Sequence, residues 1–466
     1  MVTDHPQTEK SARQLNTLQL IAYALPGLGF ALVTVPVYAV LPTLYVQNAK
    51  ISVTAIGTIV LLRSFYDAVS DQIIGFLSDR TRTRLGARLP WIIAGAVITL
   101  VSMVFLFRIP PEAGVLYFGF WTVAFFTGTT MFAIPHYAWG HELSPHYEDR
   151  NRIFGFKGFA DNSGSMLFSL IPLALVTLGL LDDAEYTVDT LWILGVTVLV
   201  LVPMLVLLAA NFAPRRGISN EARTSIAGVW YSVKANKPFQ RFILAYIIAG
   251  TGYGFFVALL YPFISTYLLI PDAFASILLV TTISGLCSVP IWIRITAWLG
   301  KHRAWAWGWL VNSFALVPFF WVEPGPAAVI PTYILMALYA LSNGVSAIAP
   351  FSILGDVIDY DILKTGVDRG GNYYAFMMFA VKALGSTGGL ALIMLGAVFG
   401  YELAEGYENT EFAKRGMLIM FVAAPGIFQL ATLPLIWNFP IDARRHNIIR
   451  RKLETRTERA ERKCQA

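Results

Sequence analysis

Asp67 and Asp71 stand four residues apart in the stretch Tyr66-Asp67-Ala68-Val69-Ser70-Asp71-Gln72, inside a run otherwise apolar enough to cross a bilayer. Residues at i and i+4 share one helix face about 6 Å apart, so the two carboxylates look the same way. A charge at bilayer depth costs about 2.5–3.5 kcal/mol on insertion scales, so such carboxylates need a counter-charge. Three arrangements supply one. Arg63, one turn earlier on the same stripe, pairs with Asp67 and leaves Asp71 to hold an ion. Alternatively, both carboxylates cage Na⁺ with a hydroxyl from Ser70 or Thr130. In the third, a proton is carried at Asp71 beside its like-charged neighbour. All three are chemistry of H⁺ or Na⁺, with no other metal and no cofactor. The GxxxxGK phosphate loop is missing, which argues against direct ATP drive, and no nucleophile–base or metal-hydrolase pattern points to an enzyme.

The elements that position these residues are membrane spans. Of 466 residues, 56% are hydrophobic and 14% charged, with a mean hydropathy of +0.60. Soluble domains carry about 25% charged residues, so the composition is that of an integral membrane protein. The apolar runs approach the roughly 20 residues that a spanning helix needs, and barrel-type alternation is missing. Twelve spans are predicted near 18–46, 53–79, 89–108, 114–142, 153–180, 190–210, 240–269, 273–299, 303–322, 328–358, 372–400 and 414–438. No signal peptide is read in the polar first 17 residues, and Cys287 and Cys464 give no disulfide framework.

Charge divides the turns into two kinds. Arg80, Arg82, Arg84 and Arg88 follow span two, Arg150, Arg152 and Lys157 follow span four, and Lys301 and Arg303 follow span eight. Asp182, Asp183, Glu185, Asp272, Glu323, Glu402 and Glu408 fall in the opposite turns. The positive-inside rule therefore predicts both termini on the cytoplasmic side of the inner membrane. The basic residues serve topology, so the net charge of +6 does not imply nucleic-acid binding. A long basic connection, 211–238, divides a six-span half at 1–210 from another at 239–440. A basic tail, 441–466, carries nine lysines and arginines and is read as a solvated helix near anionic headgroups. The fold class is thus all-α integral membrane: twelve transmembrane helices in two six-helix halves, the major facilitator arrangement, with substrate and ion between them. The expected partners are a small-molecule substrate and the lipid bilayer, and the expected state is a monomer.

The segment Tyr66 to Arg84 resembles the signature of the glycoside–pentoside–hexuronide:cation symporters, the melibiose-permease-like branch of the major facilitator superfamily. The likeness extends to Ile134-Pro135 with Glu142-Leu143-Ser144-Pro145 and Asp149-Arg150. It also covers Leu354-Gly355-Asp356 with Ile358-Asp359-Tyr360, and Tyr374 with Lys382 in span eleven. The resemblance implies that Asp67 and Asp71 are cation-binding aspartates, that Ser70 stands where an asparagine often sits, and that Thr130 is a hydroxyl near the ion. It also implies that Lys382 communicates with the ion site, that Lys157 is a basic residue at the start of span five, and that Tyr137 stacks on a sugar ring. Two departures stand out. Span one reads Tyr23-Ala24-Leu25-Pro26-Gly27-Leu28-Gly29 without the aspartate that bonds sugar hydroxyls, and Ala133 stands where the span-four aspartate would fall. Gln72 also replaces the proline after Asp71, which leaves span two straighter.

The expected activity is cation-coupled import of a glycoside, pentoside or hexuronide by alternating access. Because the two sugar-bonding carboxylates are missing, a non-sugar amphipathic or lipid-like solute is the alternative, as is a proton antiporter exporting it. A transport-inactive sensor is a further alternative. Tyr66, Tyr137, Lys157, Asn372 and Tyr374 are the candidate substrate residues, and Arg63 and Lys382 the charge-coupling ones. His136 is read as a packing histidine in preference to a proton relay. Asp79, Arg80, Glu142, Asp149, Arg150, Asp356, Asp359 and Arg369 are the candidate cytoplasmic gate, closing that face by ion pairs between the halves in the outward-open state.

Overall fold

In hydrocarbon every backbone N–H and C=O must be satisfied within the segment, so the apolar runs become helices. The computed structural model describes residues 15–49, 51–143, 147–214, 234, 236–366, 370–404 and 406–465. The side chains of residues 141, 147–151, 371, 372, 375, 378, 382 and 457–465 lie outside that description, and so do Arg369 and the linker 215–233 as a whole.

The first half runs through α1 (Thr17–Ala39), α2 (Leu41–Ala49), α3 (Val53–Arg80), α4 (Leu89–Phe107), α5 (Val115–Leu143), α6 (Tyr147–Thr177) and α7 (Val188–Phe212). The second runs through α8 (Lys237–Pro262), α9 (Phe274–Leu299), α10 (Lys301–Ala315), α11 (Val329–Asn343), α12 (Ala349–Thr365), α13 (Gly370–Gly385), α14 (Thr387–Ala397), α15 (Glu411–Leu418) and α16 (Ala424–Ile436). A last helix, α17 (Ala443–Gln465), holds the basic tail. Among the described residues, eleven segments are long and apolar enough to cross a membrane. The twelfth is α10 with the 3₁₀ turn Val317–Trp321 that continues it.

The interruptions have local causes. Span one breaks at Val40 because Pro42 has no N–H to return to Tyr38. Span seven ends in a π turn, Phe263–Tyr267, directly after Pro262. Span ten splits into α11 and α12 at a 3₁₀ turn, Gly344–Ala347, with Pro350 in the first turn of α12. By contrast α3, without a proline, runs unbroken past Asp67 and Asp71.

Within each half the helices approach through small residues, as spans do where lipid supplies no hydrophobic drive. A Cβ on Gly95 of α4 would lie 2.6 Å from Phe132 N of α5, and one on Gly128 of α5 2.6 Å from Thr99 N of α4. Between the halves, α3 packs on α14 and α6 on α9. The joint is at the end bearing the acidic turns: a Cβ on Gly57 of α3 would lie 2.7 Å from Gly389 O of α14, and one on Gly389 2.6 Å from Gly57 O. At that end the Tyr261 hydroxyl also donates to Tyr186 O at 3.3 Å.

Candidate functional site

A cavity of about 1170 Å³ lies between the halves. From the first half α3 presents Val60, Arg63, Ser64 and Asp67 to it, the stripe of a helix read every three or four residues. Thr130 of α5 lines it too. Asp71 follows one turn beyond Asp67 and is 8% exposed, and Ser70 is buried beside it. Of the predicted cation residues, Asp67 and Thr130 line the cavity, and Ser70 and Asp71 are buried within a turn of Asp67 on α3. The Ser70 hydroxyl donates to Asp67 O at 3.2 Å, so a lone pair is what it has left for an ion.

Arg63 sits deeper than its sequence position suggests. Its side chain is 3% exposed, and Nη1 lies 3.7 Å from Asp67 Oδ2. The guanidinium carbon is 3.6 Å from the centroid of Phe126 and 5.0 Å from that of Tyr38. Neither ring figures among the sequence candidates. The signal for Phe126 is the stripe Phe118, Thr122, Phe126, Thr130 and Ala133 along the cavity side of α5.

Tyr137 continues that stripe one turn past Ala133, toward the end bearing the basic turns. The Lys157 ammonium lies 4.2 Å from its ring centroid and 2.6 Å from Asp161 Oδ2. The sequence reading did not single out Asp161, although its place four residues after Lys157 was a usable signal. A Cβ on Gly27 would overlap Asp161 Oδ1, so the carboxylate of α6 fills the space beside α1 that the glycine leaves. Span one lacks its own carboxylate, and span five delivers one to the same place. Converting Asp161 to Asn leaves the Lys157 charge buried without its anion. We expect it to cost about 2 kcal/mol, a buried-pair loss discounted for the partial exposure of Asp161. Lys157→Met with Asp161→Leu should recover most of that loss in a denaturation series, and failure to recover it would show that the pair does more than neutralise itself.

His136 is fully buried, with Nε2 2.8 Å from Tyr23 O, a packing role. Tyr66 does not reach the cavity. Its hydroxyl bonds Thr127 Oγ1 at 2.8 Å on the exposed face of α3 that carries Leu62, Phe65, Val69 and Ile73. That face belongs to lipid or solvent, because a helix with one stripe on the cavity turns the opposite stripe outward. Tyr374 is likewise exposed and not among the cavity-lining residues. The side chains of Asn372 and Lys382 lie outside the described residues, although Val381 and Leu384 beside Lys382 line the cavity.

The candidate gate residues form ion pairs at the basic end of each half. Arg88 holds Asp79 Oδ1 at 2.6 Å and Glu142 Oε1 at 2.6 Å, stapling the ends of α3 and α5. Burial pulls its guanidinium pKa down, but hydrogen bonds to Glu142 and Asp79 outweigh that and raise it above the ordinary arginine value. In the second half Asp356 takes Lys301 at 2.7 Å and His446 at 3.3 Å, and Asp359 takes His446 at 3.0 Å. Arg80 lies over its neighbour Phe76, 3.4 Å from the ring centroid. Among the described residues these pairs stay within one half, because the halves meet at the opposite end. Asp149, Arg150 and Arg369 have no described side chain. The tail helix α17 leaves most of its described side chains exposed and docks on α12 through His446, Arg450 and a buried Ile449.

The family model of MFS/sugar transport proteins matches residues 22–443. The chain belongs to that family. As a member of it the protein is a multi-pass membrane transporter with the major facilitator fold. It is 22% identical to a sodium-dependent lysophosphatidylcholine symporter 1 of Xenopus tropicalis, over 94% of this chain and 89% of that one. It is 21% identical to a putative glycoside/cation symporter of Escherichia coli (strain K12), over 94% and 96%. A crystal structure of a bacterial homologue of the human lysosomal transporter Spinster, inward-facing and unoccupied, superposes with a TM-score of 0.60. The two chains are 15% identical, and 95% of this chain and 98% of that one are covered, a likeness of fold alone.

Proposed function

We propose that this MFS/sugar transport family member is a cation-coupled symporter that imports a glycoside, pentoside or hexuronide across the inner membrane, with both termini in the cytoplasm. The observation that carries the reading is the division of labour around the cavity. The first half brings Arg63 and Asp67, with Asp71 one turn on. The second half brings buried donors with no hydrogen-bond partner among the described residues: Trp305 Nε1, the Tyr339 hydroxyl and the Ser346 hydroxyl. Buried polar groups left unpaired are costly, and a polyhydroxylated solute would satisfy them. With Na⁺ or H⁺ at Asp67 and Asp71 the carboxylates are neutralised, and the halves can close around the solute. The joint at the acidic end then corresponds to the inward-facing state, with the candidate gate residues of the basic end separated.

One observation favours a second reading. Among the described residues the second half lines the cavity with no charged side chain, and Tyr246, Phe256, Trp305 and Trp309 form an aromatic wall that an acyl chain could follow. An amphipathic or lipid-like solute is therefore the alternative. Thermal stabilisation of the purified protein by glycosides, uronates and lysolipids, with and without Na⁺ at several pH values, separates the two. A ligand at 100 times its Kd should add about 2.7 kcal/mol. Sugar stabilisation that depends on Na⁺ or pH supports the first reading. Stabilisation by lysolipids alone replaces it with the second.

A further inference from the structure

Arg63 is a buried cation whose needs the protein does not meet. Among the described residues, three other buried or half-buried cations hold carboxylates tightly, Lys157 at 2.6 Å, Arg88 at 2.6 Å and Lys301 at 2.7 Å, and Arg241 holds Pro434 O at 2.6 Å. Arg63 approaches Asp67 only to 3.7 Å, beyond the roughly 2.7–2.9 Å of a charge-assisted hydrogen bond. Nη2 reaches the Ser64 hydroxyl at 3.4 Å, and Nε and Nη1, both buried, have no hydrogen-bond acceptor among the described residues. Phe126 and Tyr38 occupy space against the guanidinium, and the residue lines the cavity. A guanidinium taken out of water, supported by rings and left with unanswered N–H groups at a cavity wall is a receptor waiting for an anion.

We propose that Arg63 receives an anionic oxygen group of the transported solute, a carboxylate or a phosphate, and that Asp67 competes with the solute for it. The inference rests on the symport reading and narrows its substrate class. With no cation bound, the charge of Asp67 answers Arg63 across the 3.7 Å gap. A cation shared by Asp67 and Asp71 takes up that charge, and Arg63 then turns to the solute. Cation and anionic solute therefore strengthen each other, by the same factor in either direction. A neutral solute has no share in that exchange.

Two sources supply such an anion, and matched pairs distinguish them. An aryl β-glucuronide is compared with the aryl β-glucoside of the same aglycone, and a lysophosphatidate with the monoacylglycerol of the same acyl chain. Dissociation constants are measured on the purified full chain with and without Na⁺ at two pH values, for wild type, Arg63→Gln and Arg63→Lys. In one pair the anionic member should bind at least about tenfold tighter, and the cation should widen the gap. Arg63→Gln should weaken that member by at least about thirtyfold, the loss expected on truncating one partner of a buried charge pair, and the neutral member by less than about threefold. Arg63→Lys, which keeps the charge, should retain part of the preference and guards against a folding defect in Arg63→Gln. The proposal is overturned if the anionic preference survives in Arg63→Gln, if neutral members bind as well as anionic ones in both pairs, or if all four compounds fail to bind. Stabilisation by the cation alone is read separately with Asp71→Asn. If the cation has no effect on wild type, the symport reading fails while the preference set by Arg63 remains measurable.

Discussion

Asp71→Asn is expected to abolish concentrative uptake in reconstituted vesicles while leaving the solute able to equilibrate. Asp71 is 8% exposed, one turn from Asp67 on an unbroken helix, and the amide keeps its size while removing its charge. One cation crossing 100 mV supplies about 2.3 kcal/mol, which corresponds to roughly 50-fold accumulation. The wild type should approach that ratio under an imposed potential, and the variant should remain near unity. Solute counterflow, which needs no net drive, should persist. Accumulation at the wild-type level by Asp71→Asn would remove this carboxylate from coupling altogether.

The second large effect is at the crossing of α3 and α14. Gly57 and Gly389 let the two backbones touch where the halves meet, and a Cβ on Gly389 would also lie 2.7 Å from Leu61 N. Overpacking such a contact costs about 1–3 kcal/mol, and the opposing atoms are backbone, which has little room to yield. Gly389→Leu should therefore disfavour the state closed at the acidic end by about 10–100-fold and slow transport accordingly. The fold of each half should survive, because the new side chain faces the other half. The check is thiol labelling of Phe118→Cys in a Cys287→Ser background, with an impermeant reagent applied from the acidic side. Faster labelling in Gly389→Leu is expected, and an unchanged rate would mean that the glycine pair does not set this closure.

Much of this architecture can be read from the residues, because a span announces itself by length and hydropathy. The run predicted at 53–79 is α3, Val53–Arg80, and the run predicted at 303–322 is α10 with its 3₁₀ continuation to Trp321. Asp67 and Asp71 are legible as a pair since a four-residue spacing fixes their common face whatever surrounds the helix. The relations between helices are less so. Nothing in the order of residues says that Asp161 of α6 fills the gap at Gly27 of α1, or that Phe126 of α5 lies against Arg63 of α3. Those contacts depend on crossing angles and on rotation of each helix about its axis, which periodicity leaves open. Tyr66 shows the same limit from the other side: its neighbour Asp67 faces the cavity, and one residue, a turn of about 100°, carries Tyr66 away from it. The docking of the tail is hidden for a related reason: its strong charge points to solvent, where most of its described side chains lie, while His446 and Ile449 serve α12.

That docking has a consequence for the order of synthesis. Asp359 and His446 are 87 residues apart, so at about 5–20 residues per second the ribosome needs on the order of 4–17 s to deliver the partner after the acid has been made. All twelve spans can be threaded into the bilayer before α17 exists, leaving Asp356 with Lys301 and Asp359 without its histidine. The first turns of α17, made after all the spans, are the ones that clasp the end of α12. A chain ending at Pro440 would keep its membrane part and lack this clasp, and a label fused directly after Pro440 would sit where the clasp belongs.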